Sequence, residues 1–494
     1  MSGARDVAER RFQTEDQILF ARLSGDTNPM HMDALAARRT QAGEPVVHGV
    51  HAVLWALDSL ARGTDLSGLS HVTAALNRFI PLDRSITVRV TGQTAEAIAA
   101  EIVSDGVSMI TLRLKLTRRG GGAAQDGFLA LPLADMGYAG ETPEALRGKE
   151  GWLDPAPNAH GMGARGMGDR GMDARGMGAA FPDLTRAIGA ARVAGLGLLS
   201  TLVGMACPGL HSIFTAFQAE LLDTVPERAG IGFRVTVADP RFRIVRMAAG
   251  GNGLRATVSA LVRMPPAELP AMEALTALVA PDSFAGQRVL IAGASRGLGA
   301  LSARLIAAGG GEVILTYARG EADAAAVAAD IRAHGKGRVS AVLPLDVTRD
   351  MAAQLAPLEG PVTALLYYAT PHIRRQKAAV FVPALHEEFL RCYVHGFAAL
   401  TALLLARGGE GRLAVLYPSS VAVTARPENM TEYAMAKAAG EVLAADLATA
   451  DPRLRVVIHR LPGLPTDQNA TTVKQDTEDP VATLLPLLRE TLLG

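Results

Sequence analysis

Two stretches of the chain share one pattern of apolar and polar positions. In HGVHAVLWALDSLARG (48–63) the apolar residues recur with helical periodicity. The runs after it read as strands: HVTAALNRFIPL (71–82), SITVRVTGQTAE (85–96), AIAAEIVSDG (97–106) and VSMITLRLKLTRR (107–119). The layout then recurs. GLGLLSTLVGMACPG (195–209) predicts a long apolar helix. It is followed by HSIFTAFQAELL (211–222), GIGFRVTVADPRF (230–242), RIVRMAAGGNG (243–253) and LRATVSALVRMPP (254–266). A helix followed by four antiparallel strands, occurring twice, predicts a diverged internal repeat in which each curved sheet wraps one helix. From about residue 285 strand and helix patterns alternate, which predicts a parallel, doubly wound sheet.

Between the two repeats, residues 160–180 read HGMGARGMGDRGMDARGMGAA, a period of five that suits neither helix nor strand. So much glycine cannot offset the ordering entropy by burial, and a flexible linker over 141–180 is expected. A second boundary falls near 280, after the Pro-rich segment 265–287. The expected domains are therefore 1–140, 181–280 and 285–494, with the linker between the first two.

Length agrees: 494 residues correspond to about three domains at roughly 150 residues each. The 49 Lys+Arg balance 49 Asp+Glu, so no general affinity for nucleic acid or anionic membrane is expected. Two cysteines, Cys207 and Cys392, allow no disulfide framework and no Cys-rich metal site, and no metal is expected. A reducing cytoplasm suits this usage. The longest apolar runs, such as 398–406, are far short of the ~20 residues of a membrane span. The first residues, MSGARDVAERRFQTEDQ, contain no apolar stretch of the secretory kind.

The first candidate chemistry lies in Ser24-Gly-Asp26-Thr-Asn28-Pro29-Met-His31-Met-Asp33. A carboxylate and an imidazole stand five residues apart across an Asn-Pro pair. Pro29 fixes its own φ and keeps Asn28 out of helical geometry, so a rigid turn can aim Asp26 and His31 into one pocket. Further on, His48-Gly49 opens the apolar helix, where backbone N–H groups are ready donors for a developing oxyanion. His51, on the same helix, is expected to line the pocket.

These residues resemble the MaoC-like, (R)-specific enoyl-CoA hydratases of the hotdog fold, whose motif has the form Ser-x-Asp-x-Asn-Pro-x-His-x-Asp followed by His-Gly. Ser24, Asp26, Asn28, Pro29, His31, Asp33, His48 and Gly49 all match. Phe79-Ile80-Pro81 is similar to the family's Phe-x-x-Pro with one residue fewer. The resemblance covers roughly residues 10–118. It implies that Asp26 and His31 activate water for addition to a 2,3-double bond, or run the reverse dehydration, while the Gly49 N–H polarises the thioester carbonyl. The second repeat has no such motif and no His before His211. It reads as a non-catalytic hotdog that completes a double-hotdog core and shapes the acyl pocket; Asp183 is not expected to act.

The second candidate site begins at RVLIAGASRGLGA (288–300). Here Gly293, Ser295, Arg296, Gly297, Leu298 and Gly299 follow a strand and open a helix, as a pyrophosphate loop requires. Asp346-Val347 ends a later strand, Ser420 another, and Pro462-Gly463 with Thr466 a third. Tyr433 and Lys437 are one helical turn apart and share a face, so an ammonium stands beside a phenol that can protonate a carbonyl hydrogen-bonded by Ser420. In this order the residues resemble the short-chain dehydrogenase/reductases over about 286–494, nearest to 3-oxoacyl thioester reductases. Three positions depart from that pattern. Ala292 replaces a Thr, Tyr367-Tyr368-Ala369-Thr370 replaces Asn-Asn-Ala-Gly, and His395 is read at the place of the relay Asn. VILTYARG (313–320) ends with no Asp or Glu where an NAD-specific enzyme would hold the ribose hydroxyl, and Arg296 and Arg319 can meet a 2′-phosphate. NADP(H) is therefore expected rather than NAD.

The fold class expected is an α+β double hotdog followed by an α/β doubly wound Rossmann-type domain. The two resemblances imply consecutive reactions on acyl-CoA or acyl carrier protein thioesters: 3-oxoacyl reduction and (R)-specific hydration or dehydration. By analogy a homodimer is expected. Two alternatives are a hydratase with a merely nucleotide-binding C-terminal domain, and a non-catalytic scaffold for acyl carriers.

Overall fold

The structure, a computed structural model, describes residues 4–120, 142–154, 174–263, 269–373, 380–466 and 478–494. The chain forms two compact units, one within Met1–Pro265 and one made of Pro266–Asn469 and Gln475–Gly494.

The first unit holds ten strands: β1 (Arg5–Arg11), β2 (Leu69–Leu76), β3 (Ser85–Gln93), β4 (Ala97–Ser104), β5 (Val107–Leu116), β6 (Glu150–Leu153), β7 (Ser212–Leu221), β8 (Ile231–Asp239), β9 (Ile244–Gly251) and β10 (Leu254–Val262). They form one antiparallel sheet in the order β1-β3-β4-β5-β2-β7-β10-β9-β8-β6. The order mirrors itself about the β2–β7 pair, where Val72 faces Ala219 and Ala74 faces Phe217. The turns mirror too. Asp105-Gly106 and Asn252-Gly253 both adopt positive φ at two successive residues, the requirement of a tight hairpin turn whose twist matches its strands. Along β5, Ile110, Leu112 and Leu114 are buried while Arg113 and Lys115 face out, so register follows from alternation. Two central helices, Gly49–Ala61 and Ala190–Thr201, are buried along nearly their whole length in a single apolar core with the sheet. The first helix lies so close to β2 that a Cβ on Gly49 would come within 2.0 Å of Leu76 Cδ2.

The expected linker 141–180 is ordered at both described ends. Residues 150–153 are β6, paired with β8, and Leu146, Trp152 and Leu153 are buried. Ala174–Ala180 is helical, and Met177 fills the space left by Gly197. These apolar side chains supply the burial that the repeat lacks. Residues 155–173, which carry most of the repeat, lie outside the described residues. β6 stands at one edge of the sheet as β1 stands at the other, so the second repeat begins about thirty residues before 181. Its expected end near 280 also moves. Met272, Leu275 and Val279 are buried in the core of the second unit.

That unit has six parallel strands: β11 (Arg288–Ala292), β12 (Glu312–Tyr317), β13 (Arg338–Pro344), β14 (Ala364–Tyr367), β15 (Leu413–Ser420) and β16 (Leu454–Leu461). Their order is β13-β12-β11-β14-β15-β16, the doubly wound arrangement expected. The winding reverses between β11 and β14, which opens a crevice at the carboxyl ends of the strands. Pro383–Gly408 forms one continuous 26-residue helix with an 18-residue stretch of mean hydropathy 1.6, long and apolar enough to cross a membrane by length and composition. Here Phe389, Tyr393, Phe397, Leu400 and Leu404 bury one side of it in the core of the unit.

Candidate functional sites

The motif residues of the first site divide into those that build a loop and those that the loop presents. The helix Thr14–Ser24 ends at Gly25 with φ +83. Ser24 Oγ donates to Phe20 O and accepts from the Asp26 N–H, at 2.8 and 3.1 Å. Asn28 caps the short turn Pro29–His31, its Oδ1 accepting from Met30 N at 3.2 Å. Asp33 caps the next helix through Leu35 N and Ala36 N. What remains for chemistry is Asp26, which is buried, and His31, which is partly accessible. The two come together as expected, and His48 joins them. One ligand-type atom from each of the three lies within 4.8 Å of the others. The spacing is one that a divalent ion could share, and both ring nitrogens of His48 are already engaged, facing Gln17 Oε1 at 2.9 Å and Asp26 O at 3.1 Å.

His31 Nδ1 lies 2.8 Å from Val46 O. A carbonyl can only accept, so the proton is on Nδ1 and the neutral ring keeps its lone pair at Nε2. The ring stacks on that of His48 with centroids 3.7 Å apart. Burial lowers the pKa of His31, partly opposed by the nearby Asp26 charge. Burial raises that of Asp26, opposed by His31, Ser200 and the Asn28 N–H. His48 is held well below the usual imidazole range, chiefly by burial. The arrangement offers an unprotonated imidazole nitrogen beside a carboxylate, the pair that a water molecule needs to lose or regain a proton. Gly49 is the first residue of the central helix, where N–H groups have no partner within the helix.

The second repeat does more than shape a pocket. Ser200 Oγ donates to Asp26 Oδ2 at 2.6 Å, and Asn28 Nδ2 donates to Gly204 O at 3.4 Å. After Thr201 the second central helix widens into a π-helical turn, Leu202–Ala206. There Gly204 leaves room for the carboxylate: an added Cβ would lie 2.5 Å from Asp26 Oδ1. Ser200 and Gly204 were not read as site residues. The one signal for them is the polar Ser200-Thr201 pair inside the otherwise apolar run 195–206. His51, expected in the pocket, lies instead among Phe12, Phe20 and Phe181, stacked on Phe20 at 4.6 Å. Asp183 is paired with Arg62 and Arg186, a structural role.

In the second unit the expected loop residues and Ser420 lie at or just after the carboxyl ends of β11, β12, β13, β15 and β16. Gly293, after β11, has φ +86, and a Cβ there would sit 3.1 Å from the Tyr368 carbonyl and Ala369 N. Gly299 packs against that turn; its Cβ would approach Gly293 O to 2.2 Å. The helix Gly297–Ala308 therefore starts over bare backbone, with Ser295, Arg296 and Leu298 partly exposed around its first turn. Such a cradle fits a pyrophosphate. Arg319 is exposed after β12. After β13, Asp346 accepts from Thr348 N and Oγ1 at 3.0 and 2.6 Å, and Val347 is buried. Pro462, Gly463 and Thr466 follow β16. Ser420 ends β15, its Oγ accepting from Ala422 N at 3.1 Å.

Tyr433 and Lys437 are both buried on the helix Thr431–Ala450. Lys437 Nζ donates to Pro418 O at 2.7 Å and stands 4.0 Å above the Tyr393 ring. Burial brings its pKa down to about 8. His395, read as the relay position, is exposed. The side chain that packs against Tyr433 is Tyr393: its ring meets Tyr433 edge-on at 5.8 Å, and its hydroxyl lies 2.5 Å from Thr370 Oγ1. Positions two apart on a helix face nearly opposite sides, so Tyr393 and His395 cannot both meet Tyr433; the segment Arg391–Gly396 is a π-helical turn.

A carboxylate–imidazole pair under a central helix, joined in one chain to a doubly wound nucleotide-type unit, defines a lyase-like site and an oxidoreductase-like site. Residues 3–63 match the MaoC like domain and residues 287–477 match the short chain dehydrogenase family. The chain thus carries a MaoC-like domain at its N-terminus and a short-chain dehydrogenase/reductase domain at its C-terminus. Over 144 residues it is 26% identical to 3-hydroxybutyryl-CoA dehydratase of Methylorubrum extorquens, covering 25% of this chain and 90% of that protein. Among solved structures, a short chain dehydrogenase of Escherichia coli CFT073 complexed with NADPH is 23% identical with a TM-score of 0.38, covering 43% of this chain and 92% of that one. A short chain dehydrogenase of Salmonella enterica serovar Typhi is 22% identical with a TM-score of 0.39, covering 43% and 92%. The protein is an enzyme with a hydratase-like and an oxidoreductase domain, and the latter implies a nicotinamide cofactor.

Proposed function

We propose that the chain is a bifunctional enzyme of 3-oxoacyl, 3-hydroxyacyl and 2-enoyl thioesters. It reduces the 3-oxo group with NADPH and interconverts the (R)-3-hydroxyacyl and trans-2-enoyl forms. The observation that carries the reading is the convergence of buried Asp26 with the free Nε2 side of His31 at the mouth of the first central helix. In hydration His31 and Asp26 orient a water and take its proton as oxygen adds to C3. The Gly49 N–H steadies the thioester oxygen as negative charge develops on it, and the proton returns at C2. Ser200 holds the carboxylate in place.

In the reductase unit, the Gly293–Gly299 loop would hold the pyrophosphate, Asp346 the adenine, and Arg296 and Arg319 a 2′-phosphate. The cofactor supplies hydride. Ser420 orients the ketone, and Tyr433 gives its proton to the oxygen beside the Lys437 ammonium. The mirrored ten-stranded sheet supports reading the first unit as a double hotdog. A homodimer in the cytoplasm belongs to the same proposal. One observation favours a second reading, in which the reductase unit binds nucleotide without turnover: the ring of Tyr393, and no amide side chain, packs against Tyr433 from its helix.

Acetoacetyl-CoA and NADPH with the purified chain, read by mass spectrometry, separate these. Hydroxybutyryl and crotonyl thioesters, with crotonyl lost in Asp26→Asn, support the bifunctional reading. Unchanged NADPH with crotonyl-CoA still hydrated supports the second. No reaction of either thioester overturns both.

A further inference from the structure

Arg263, at the end of β10, is only 6% exposed. Its side chain donates from Nη2 to Leu210 O at 2.7 Å, while Nε is buried without a partner. Among the described residues no carboxylate pairs with it. Burial alone brings its pKa down to about 10. Next to it, His211 Nδ1 is also buried without a partner, and the His211 carbonyl accepts from Arg263 N at 2.6 Å. The Leu210 carbonyl that Arg263 binds is shared with Asn28 Nδ2, at 3.4 Å. Asn28 caps the turn that carries His31. The guanidinium therefore borders the dyad loop, and its charge is felt at both His31 and His211.

A buried cation without a counter-charge is costly, and a buried N–H without an acceptor adds to that cost. Capping one carbonyl does not require a guanidinium. A planar carboxylate does suit one, since two parallel N–H groups can meet its two oxygens. We propose that Arg263, with His211, binds a carboxylate at the distal end of the acyl group, so that the hydratase unit acts on thioesters of unsaturated dicarboxylic acids. This rests on the hydratase reading above. It also gives the second repeat a direct part in substrate choice.

The test compares the CoA monothioester of trans-butenedioic acid with crotonyl-CoA, using the full chain and following loss of the enoyl thioester. Wild type should favour the carboxylated substrate. Arg263→Met should lower kcat/KM for it by about 10- to 100-fold, the scale for losing a hydrogen bond to a charged group, mostly through KM. The preference over crotonyl-CoA should then collapse. Arg263→Lys should be intermediate. Should Arg263→Met not fold, wild type alone decides: succinyl-CoA should inhibit crotonyl-CoA hydration more strongly than butyryl-CoA. Hydration of crotonyl-CoA with no preference for the carboxylated thioester, or equal inhibition by the two saturated thioesters, overturns the inference and leaves the hydratase reading standing. Hydration of neither substrate overturns both.

Discussion

Ser200 and Asp26 are 174 positions apart in the chain, yet the serine hydroxyl donates to the carboxylate at 2.6 Å. The bond joins the two repeats at the dyad. It favours the ionised carboxylate that burial disfavours.

Ser200→Ala should therefore raise the Asp26 pKa and move the acid limb of hydratase activity to higher pH. A hydrogen bond to a charged group contributes about 1.5–3 kcal/mol. At neutral pH a loss of about tenfold in kcat is expected. Hydration of a short enoyl thioester from pH 5 to 9 measures this; an unmoved limb would show that Ser200 does not act through Asp26.

Stability of the first unit should fall on mild acidification. Unfolded imidazoles titrate near about 6.5, whereas burial holds His48 and His51 well below that in the folded chain. Below about 6.5 the unfolded state takes up protons that the folded state refuses, at about 1.4 kcal/mol per pH unit for each group. Above that value the contribution is fully present. Thermal melts from pH 7.5 to 5.5 should show the decline, and His51→Phe, in its aromatic surroundings, should flatten it.

In the reductase unit Tyr433→Phe should lower 3-oxoacyl reduction by about 100-fold or more while NADPH still binds. Lys437, at about 8, should lose its charge above that pH, so reduction should decline on the alkaline side. The Tyr393 ring face favours the ammonium. Tyr393→Leu should move the alkaline limb to lower pH by up to about one unit, and Tyr393→Phe should leave it in place. Initial rates across pH 6 to 10 distinguish the two variants.

Gly299→Ala places a methyl 2.2 Å from Gly293 O. The turn and the helix start cannot both persist, so NADPH binding, followed by fluorescence, should be lost while hydratase activity continues. Retained binding would show that the loop yields.

Much of this protein is legible in its sequence because the information is local. Asn28-Pro29, Asp33, Asp105-Gly106 and Asn252-Gly253 set turns through their own backbone preferences and side-chain caps. Period-two alternation placed eight of the ten strands of the first sheet, and the glycines of the 293–299 loop announced their own crowding. The edge strands β1 and β6 escaped, because RDVAERR is largely exposed and EGWL is only four residues long. What depended on distant chain was decided by tertiary packing alone. Burial of Leu146, Trp152 and Met177 turned the ends of an expected linker into structure. Packing of the helix that carries Arg391–Gly396 set Tyr393 rather than His395 against Tyr433. The meeting of the two repeats brought Ser200, Gly204 and Arg263 to a dyad whose residues are local in sequence. Local rules can name a carboxylate and an imidazole; only long-range packing fixes the hydrogen bonds and burial that set their charge.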